Sequence, residues 1–253
     1  MKRYVALGSS MAAGPGIRPR AAGSPRAAGR SARNYAHLVA AALDLDLVDV
    51  TFSGATTAHV LTESQRGAPP QIDALDGTES LVTVTIGGND AGYVPMLFAA
   101  CLPRPLRAVP LLGGRLRDLL DPSPRYVAVA EAGAALVEVG HQIRHRAPRA
   151  TVLFVDYLTL LPASGAAPPL GAADLTLARH VAATLEQLTA DAARITGCGL
   201  VCAAQASRDH HAWSPRPWTT RFGLPVPGRP APLHPNAAGM RAVADLVIEE
   251  VSR

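Results

Sequence analysis

Three stretches of this chain hold residue types suited to acyl-transfer chemistry. The first is Gly8-Ser9-Ser10, directly after the apolar run Tyr4-Val5-Ala6-Leu7. A strand that ends in glycine and then serine is a tight strand-to-helix turn, and glycine lets the backbone turn sharply. A hydroxyl there sits at the carboxyl edge of a sheet. Amide N–H groups of the adjoining helix start can face a developing negative charge. An α/β enzyme would carry a nucleophilic serine at such a place; a Ser N-cap on a glycine turn is the plainer reading. The second stretch, Gly87-Gly88-Asn89-Asp90, follows the apolar run at 81–86. Its paired glycines permit close approach of backbone to ligand, and the Asn89 amide can donate to an oxyanion. The alternative is a turn with a capping Asn or Asp, and Asp90 is expected to anchor the following turn. The third is Leu233-His234-Pro235-Asn236, where a helix-starting proline fixes a histidine. Between them, Ser53-Gly54-Ala55-Thr56-Thr57 follows a second strand, and the Gly54 N–H could serve the same oxyanion.

These stretches need a scaffold that brings them to one edge. Strand patterns at 4–7, 47–50, 81–86, 151–155 and 200–203 alternate with helical patterns at 32–43, from 57, 91–100, 127–145, 172–196 and 235–251. The apolar, β-branched run at 81–86 suits a central parallel strand buried on both faces. Alternation of this kind predicts one three-layer α/β domain over residues 1–253, around a central parallel five-stranded sheet. Loops after the strands then gather at one edge, and Ser10, Asn89 and His234 gather with them. Segment 102–124 is read either as an apolar lid or as a helix covering the core. Residues 205–234 form an active-site loop.

Composition narrows the class. Hydrophobic residues are 48% and charged residues 17%, so the chain folds rather than staying disordered. A net charge of +4, spread along the chain, does not imply nucleic acid. The exception is the acid-free stretch with Arg18, Arg20, Arg26, Arg30 and Arg33. It reads as a solvated loop or, more sharply, as a site for an anionic headgroup. Cys101, Cys198 and Cys202 give no disulfide framework. Cys198 and Cys202 are expected to pack as small hydrophobes around the last strand. No leader and no run of about 18 apolar residues is visible, so a cytoplasmic location and no transmembrane segment are expected. Thr51-x-Ser53-Gly54-x-Thr56 also matches a flavodoxin phosphate loop. It follows strand two, however, and aromatics are only 4%, which argues against flavin.

In this order, the three stretches resemble the SGNH (GDSL-type) hydrolase family. Gly87-Gly88-Asn89-Asp90 and His234-Pro235-Asn236 are the specific parts of the match. The context Arg30-Ser31-Ala32-Arg33-Asn34-Tyr35 is similar to an actinobacterial esterase and lipase branch. The resemblance implies a flavodoxin-like sheet and no metal or organic cofactor. The implied substrate is a small-molecule or lipid acyl ester. Ser10 would be the nucleophile and His234 its base, with Ser10, Gly54 and Asn89 as the oxyanion hole. Two departures stand out. Ser9 replaces the usual Asp of the first block, and Ala231 stands where the family carries Asp three residues before the histidine. The Ala231 carbonyl could orient His234 instead, giving a Ser-His dyad; Asp209 is a remote substitute. Loss of both acids also leaves open a catalytically impaired relative that binds a ligand or carbohydrate. The branch's disulfide toward the position of Phe52 has no cysteines here, which fits a reducing compartment. Trp213 and Trp218 would wall an acyl pocket or pack in the core. His210 and His211 would shape the site, and His141 and His145 are expected in solvent.

Overall fold

The computed structural model describes residues 2–103, 105 and 112–253. Five parallel strands, β1 (Lys2–Gly8), β2 (Leu45–Asp49), β3 (Glu79–Thr85), β4 (Thr151–Val155) and β5 (Gly199–Val201), form one sheet in the order β2-β1-β3-β4-β5. Helices α1 (Ser10–Ala13), α2 (Tyr35–Leu43), α3 (Thr57–Leu61), α4 (Tyr93–Cys101), α5 (Leu112–Leu120), α6 (Pro122–Arg146), α7 (Ala172–Thr196), α8 (Ala203–Ala206) and α9 (Ala237–Val251) lie between and after the strands.

Strand side chains alternate between the sheet faces, and each set meets its own helices. Val5, Leu7, Val82, Val84, Val152 and Phe154 pack with Leu136, Val139 and Ile143 of α6. Tyr4, Ala6, Leu81, Leu153 and Val155 pack with Tyr35 and Val39 of α2 and Met240, Val243 and Val247 of α9. Burial on both faces explains the Leu81, Val82 and Val84 of β3, each such side chain contributing roughly 1.5–3 kcal/mol, while the buried Thr83 and Thr85 hydroxyls bond to Tyr4 and Tyr35.

Helix starts follow their caps. Asn34 accepts the His37 N–H, so α2 begins at Tyr35 rather than at 32. Asp121 accepts the Ser123 N–H, and Pro122 opens α6 ahead of the expected 127. Asn236 accepts from Ala238 and Gly239, so α9 begins at Ala237, not at Pro235. The last strand also ends early, at Val201. Cys198 packs against the core as expected, but Cys202 is exposed beyond the strand. Of the expected lid segment 102–124, residues 104 and 106–111 lie outside the described residues. The rest includes α5, which packs against α4 and α6. No helix among the described residues is long and apolar enough to cross a membrane.

Directly after β4, Asp156 is buried and accepts the Ala204 N–H at 2.7 Å. Burial raises its pKa from 3.8 to about 7, against the lowering effect of that bond. A folded-state pKa above the unfolded one means the folded chain keeps a proton that the unfolded chain has released. Stability therefore falls as pH rises from about 4 to about 7. Asp156→Asn keeps an acceptor oxygen without the charge. Its Tm is expected to match wild type near about pH 4 and to exceed it by at least about 4 °C near about pH 8. Thermal melts of both proteins across that range check this; an unchanged Tm difference would contradict it.

Candidate active site

The order 2-1-3-4-5 reverses chain direction across the sheet between β1 and β3, and ligand crevices open at the carboxyl ends of strands at such a point. Ser10 leaves β1 there and Asn89 leaves β3. The Ser9 N–H donates to the Thr85 carbonyl at 2.9 Å, locking the two strand ends together. Gln71 clasps the turn from the side: its amide accepts from the Gly8 N–H at 2.7 Å and donates to the Gly8 carbonyl at 3.1 Å.

The Ser10 hydroxyl lies 2.8 Å from His234 Nε2, although 224 positions separate them in the chain. His234 Nδ1 lies 2.7 Å from the Pro232 carbonyl. A carbonyl can only accept, so Nδ1 carries the hydrogen. In the neutral ring Nε2 is then the acceptor, and the Ser10 O–H donates to it. His234 is buried, and burial lowers its pKa below 6.5, partly offset by the Pro232 bond. The ring therefore stays neutral to lower pH than an exposed histidine.

The orienting carbonyl is that of Pro232, not of Ala231 as expected. The Ala231 carbonyl is occupied by the Thr220 hydroxyl at 2.6 Å. The shift of one residue has a backbone cause. Leu233, between Pro232 and His234, takes a left-handed conformation at φ 61°, and this folds the ring back over the carbonyl two residues earlier. Leu233 is fully buried with Met11, Met96 and Leu97, and that packing holds the strained residue in place. Asp209 is exposed in a 3-10 turn, and the Nδ1 position it would occupy is already taken.

Asn89 and Gly54 line the same cleft as Ser10 and His234, a cavity of about 550 Å³. Asn89 spends one amide hydrogen on the Ala55 carbonyl at 2.7 Å, which leaves the second. Gly54 sits at φ 81°, a conformation that favours glycine, and its N–H donates to no backbone acceptor among the described residues. Asp90 does not anchor its own following turn. It reaches across to the start of α3, taking the Thr57 N–H at 3.0 Å and the Thr57 hydroxyl at 2.5 Å, and so ties the Gly54 loop to the Asn89 loop.

Tyr157 gave no signal in the sequence beyond its place just after a strand. Its phenol accepts the Gly88 N–H at 2.9 Å and lies 3.2 Å from the Ser9 hydroxyl. A Cβ on Gly88 would meet the Tyr157 ring at 2.2 Å, so glycine is required there for close approach. Ser9 thus meets a tyrosine at the position where the resemblance implied an acid. Burial pushes the Tyr157 pKa up to about 12, keeping the phenol protonated.

Pro15, Val94, Pro95 and Phe98 form the apolar wall of the cleft, and Arg66 is the guanidinium on its lining. Trp213 and Trp218 do not line it. Trp218 stacks on His210 at 4.1 Å and packs against the α2–α9 layer, while Trp213 donates to the Pro168 carbonyl. His210 and His211 likewise stay off its lining. His141 and His145 are exposed. In the basic loop, Arg30 turns inward to the Thr51 carbonyl at 2.6 Å beside Asp49. Arg18, Arg20, Arg26 and Arg33 are exposed.

Residues 6–242 match the GDSL-like lipase/acylhydrolase family. The chain is 34% identical over 251 residues to "Lipase 2" of Streptomyces coelicolor, covering 96% of this chain and 83% of that protein. Its fold matches phospholipase A1 from Streptomyces albidoflavus with a TM-score of 0.75 at 26% identity, covering 100% of this chain and 99% of that one. An extracellular lipase from Streptomyces rimosus matches with a TM-score of 0.76 at 25% identity, over 100% of both chains.

Proposed function

The chain belongs to the GDSL-like lipase/acylhydrolase family and is a carboxylic ester hydrolase, and within that class we propose that Ser10 and His234 act as a nucleophile–base dyad. The observation that carries this reading is the 2.8 Å bond from the Ser10 hydroxyl to an imidazole whose other nitrogen is held by a carbonyl.

The Ser10 oxygen attacks the acyl carbonyl while its proton passes to His234 Nε2. The carbonyl oxygen becomes an oxyanion, which the Ser10 and Gly54 N–H groups and the free Asn89 amide hydrogen stabilise. His234 gives its proton to the departing alcohol, leaving an acyl-Ser10 ester. Water then repeats the sequence: His234 takes its proton, the acid leaves, and Ser10 regains its hydrogen. These steps use protein groups and water alone.

The acyl chain lies on the Pro15, Val94, Pro95 and Phe98 wall, and Arg66 faces a polar or anionic part of the substrate. Substrates are small-molecule or lipid acyl esters, and residues 1–253 act as one domain. The rival reading, an impaired ligand- or carbohydrate-binding relative, rests on the acids missing at Ser9 and Ala231. The Pro232 carbonyl at Nδ1 favours a working dyad. Location has support in two directions. Cys198 and Cys202 are thiols, which fits the cytoplasm, while the Streptomyces rimosus relative is described as extracellular.

Stoichiometric labelling by a fluorophosphonate tests the dyad. One label per chain is expected, on Ser10, located by peptide mass. The labelling rate should fall as acid protonates His234, with a midpoint below 6.5 because burial lowers its pKa. Label on another residue, or none, would overturn the assignment.

A further inference from the structure

A second cavity, of about 310 Å³, shares no lining residue with the catalytic cleft. It lies among the loop after β4, helix α7 and the start of α8. Its walls are mainly apolar, with Leu158, Leu160, Leu161, Ala182 and Leu185 prominent. Ile86 and Tyr93, at the two ends of the loop that carries Asn89, line it as well. So does Tyr157, the residue that holds Gly88. The catalytic steps above use none of this space.

Three charged side chains border the cavity: Arg179, Glu186 and Arg208. Two of them cancel. Arg208 Nη2 donates to both Glu186 oxygens at 2.6 Å. Arg179 meets no carboxylate among the described residues. Its Nε donates to the Pro162 carbonyl and one Nη to the Gly165 carbonyl, each at 2.7 Å, which fixes the guanidinium in position with further N–H groups to spare. An apolar chamber with one uncompensated, preset guanidinium complements an amphiphile with a hydrocarbon tail and a negative head.

We propose that this cavity is a second ligand site, which takes the hydrocarbon chain of a long-chain carboxylic acid with its carboxylate on Arg179. Such an acid is of the class that ester hydrolysis releases. Beyond that link, the proposal does not depend on the dyad, because its test measures binding and uses a chain that cannot turn over.

The test is calorimetric titration of the Ser10→Ala protein with dodecanoate and with dodecan-1-ol. One dodecanoate should bind per chain. Ala182→Trp, which fills the cavity, should weaken binding at least about tenfold. Val94→Trp, which narrows the catalytic cleft, should leave it unchanged. Arg179→Gln alters a partly exposed side chain and leaves the core packing intact. It should weaken dodecanoate about fivefold while sparing dodecan-1-ol. No binding would overturn the site. Loss of binding with Val94→Trp rather than Ala182→Trp would move the ligand to the catalytic cleft. Equal binding of acid and alcohol, insensitive to Arg179→Gln, would overturn the carboxylate assignment.

Discussion

Ser10→Ala is expected to lower kcat/KM for a short-chain p-nitrophenyl ester by on the order of 10⁴-fold or more. The Ser10 hydroxyl lies 2.8 Å from His234 Nε2, and no other hydroxyl among the described residues bonds that imidazole. Alanine fits the space, so the fold should survive, and an unchanged Tm makes the loss interpretable. Ser9→Ala is the matched control. Ser9 is buried as well, but its hydroxyl faces Tyr157 at 3.2 Å rather than His234. Its removal should cost less than about tenfold, through looser seating of the Gly88 loop. Equal losses at the two positions would mean that the neighbouring hydroxyls had been assigned wrongly. A wild-type rate in Ser10→Ala would remove the nucleophile altogether.

The second large effect belongs to Asn89. Removing one side-chain donor from a developing oxyanion typically costs about 10²–10³ in kcat. Asn89→Ala is expected to show that loss with KM little changed, because the donor acts on charge that exists only in the transition state. The substitution also deletes the bond to the Ala55 carbonyl, which contributes on the order of 1 kcal/mol to stability. Steady-state kinetics and a melting curve separate the two effects. A variant whose KM rises while kcat holds would place Asn89 in ground-state binding instead.

The parts of this molecule governed by periodicity were readable from sequence. The run at 81–86 reported a strand buried on both faces, and α7 announced its full length through apolar residues on one face. The meeting of the three stretches at one edge was expected from the chain order too: Ser10 and Asn89 come directly after β1 and β3, and His234 closes the long loop that follows β5. What escaped the sequence reading depends on backbone angles and on single contacts. No pattern marks Leu233 as left-handed, so the carbonyl under His234 was expected one residue too early. Tyr157 is a lone aromatic after a strand, and its role appears only when Gly88 is seen against its ring. Asp90 had an obvious local use as a cap, and the Thr57 contact across the loops displaced it. Sequence left Trp213 and Trp218 between an acyl-pocket wall and core packing, and Trp218 takes the second, with its ring on His210 and the α2–α9 layer.

The carbonyl under the imidazole has a consequence for inheritance. An aspartate in that role is one codon away from loss, whereas every amino acid carries a main-chain oxygen. A change at Pro232 alone leaves an acceptor for Nδ1 in place, provided the left-handed turn at Leu233 survives. Under the proposed dyad, selection would therefore act on the shape of a loop rather than on the identity of a third residue. Random mutagenesis should find the fragile positions among the buried neighbours that pin Leu233.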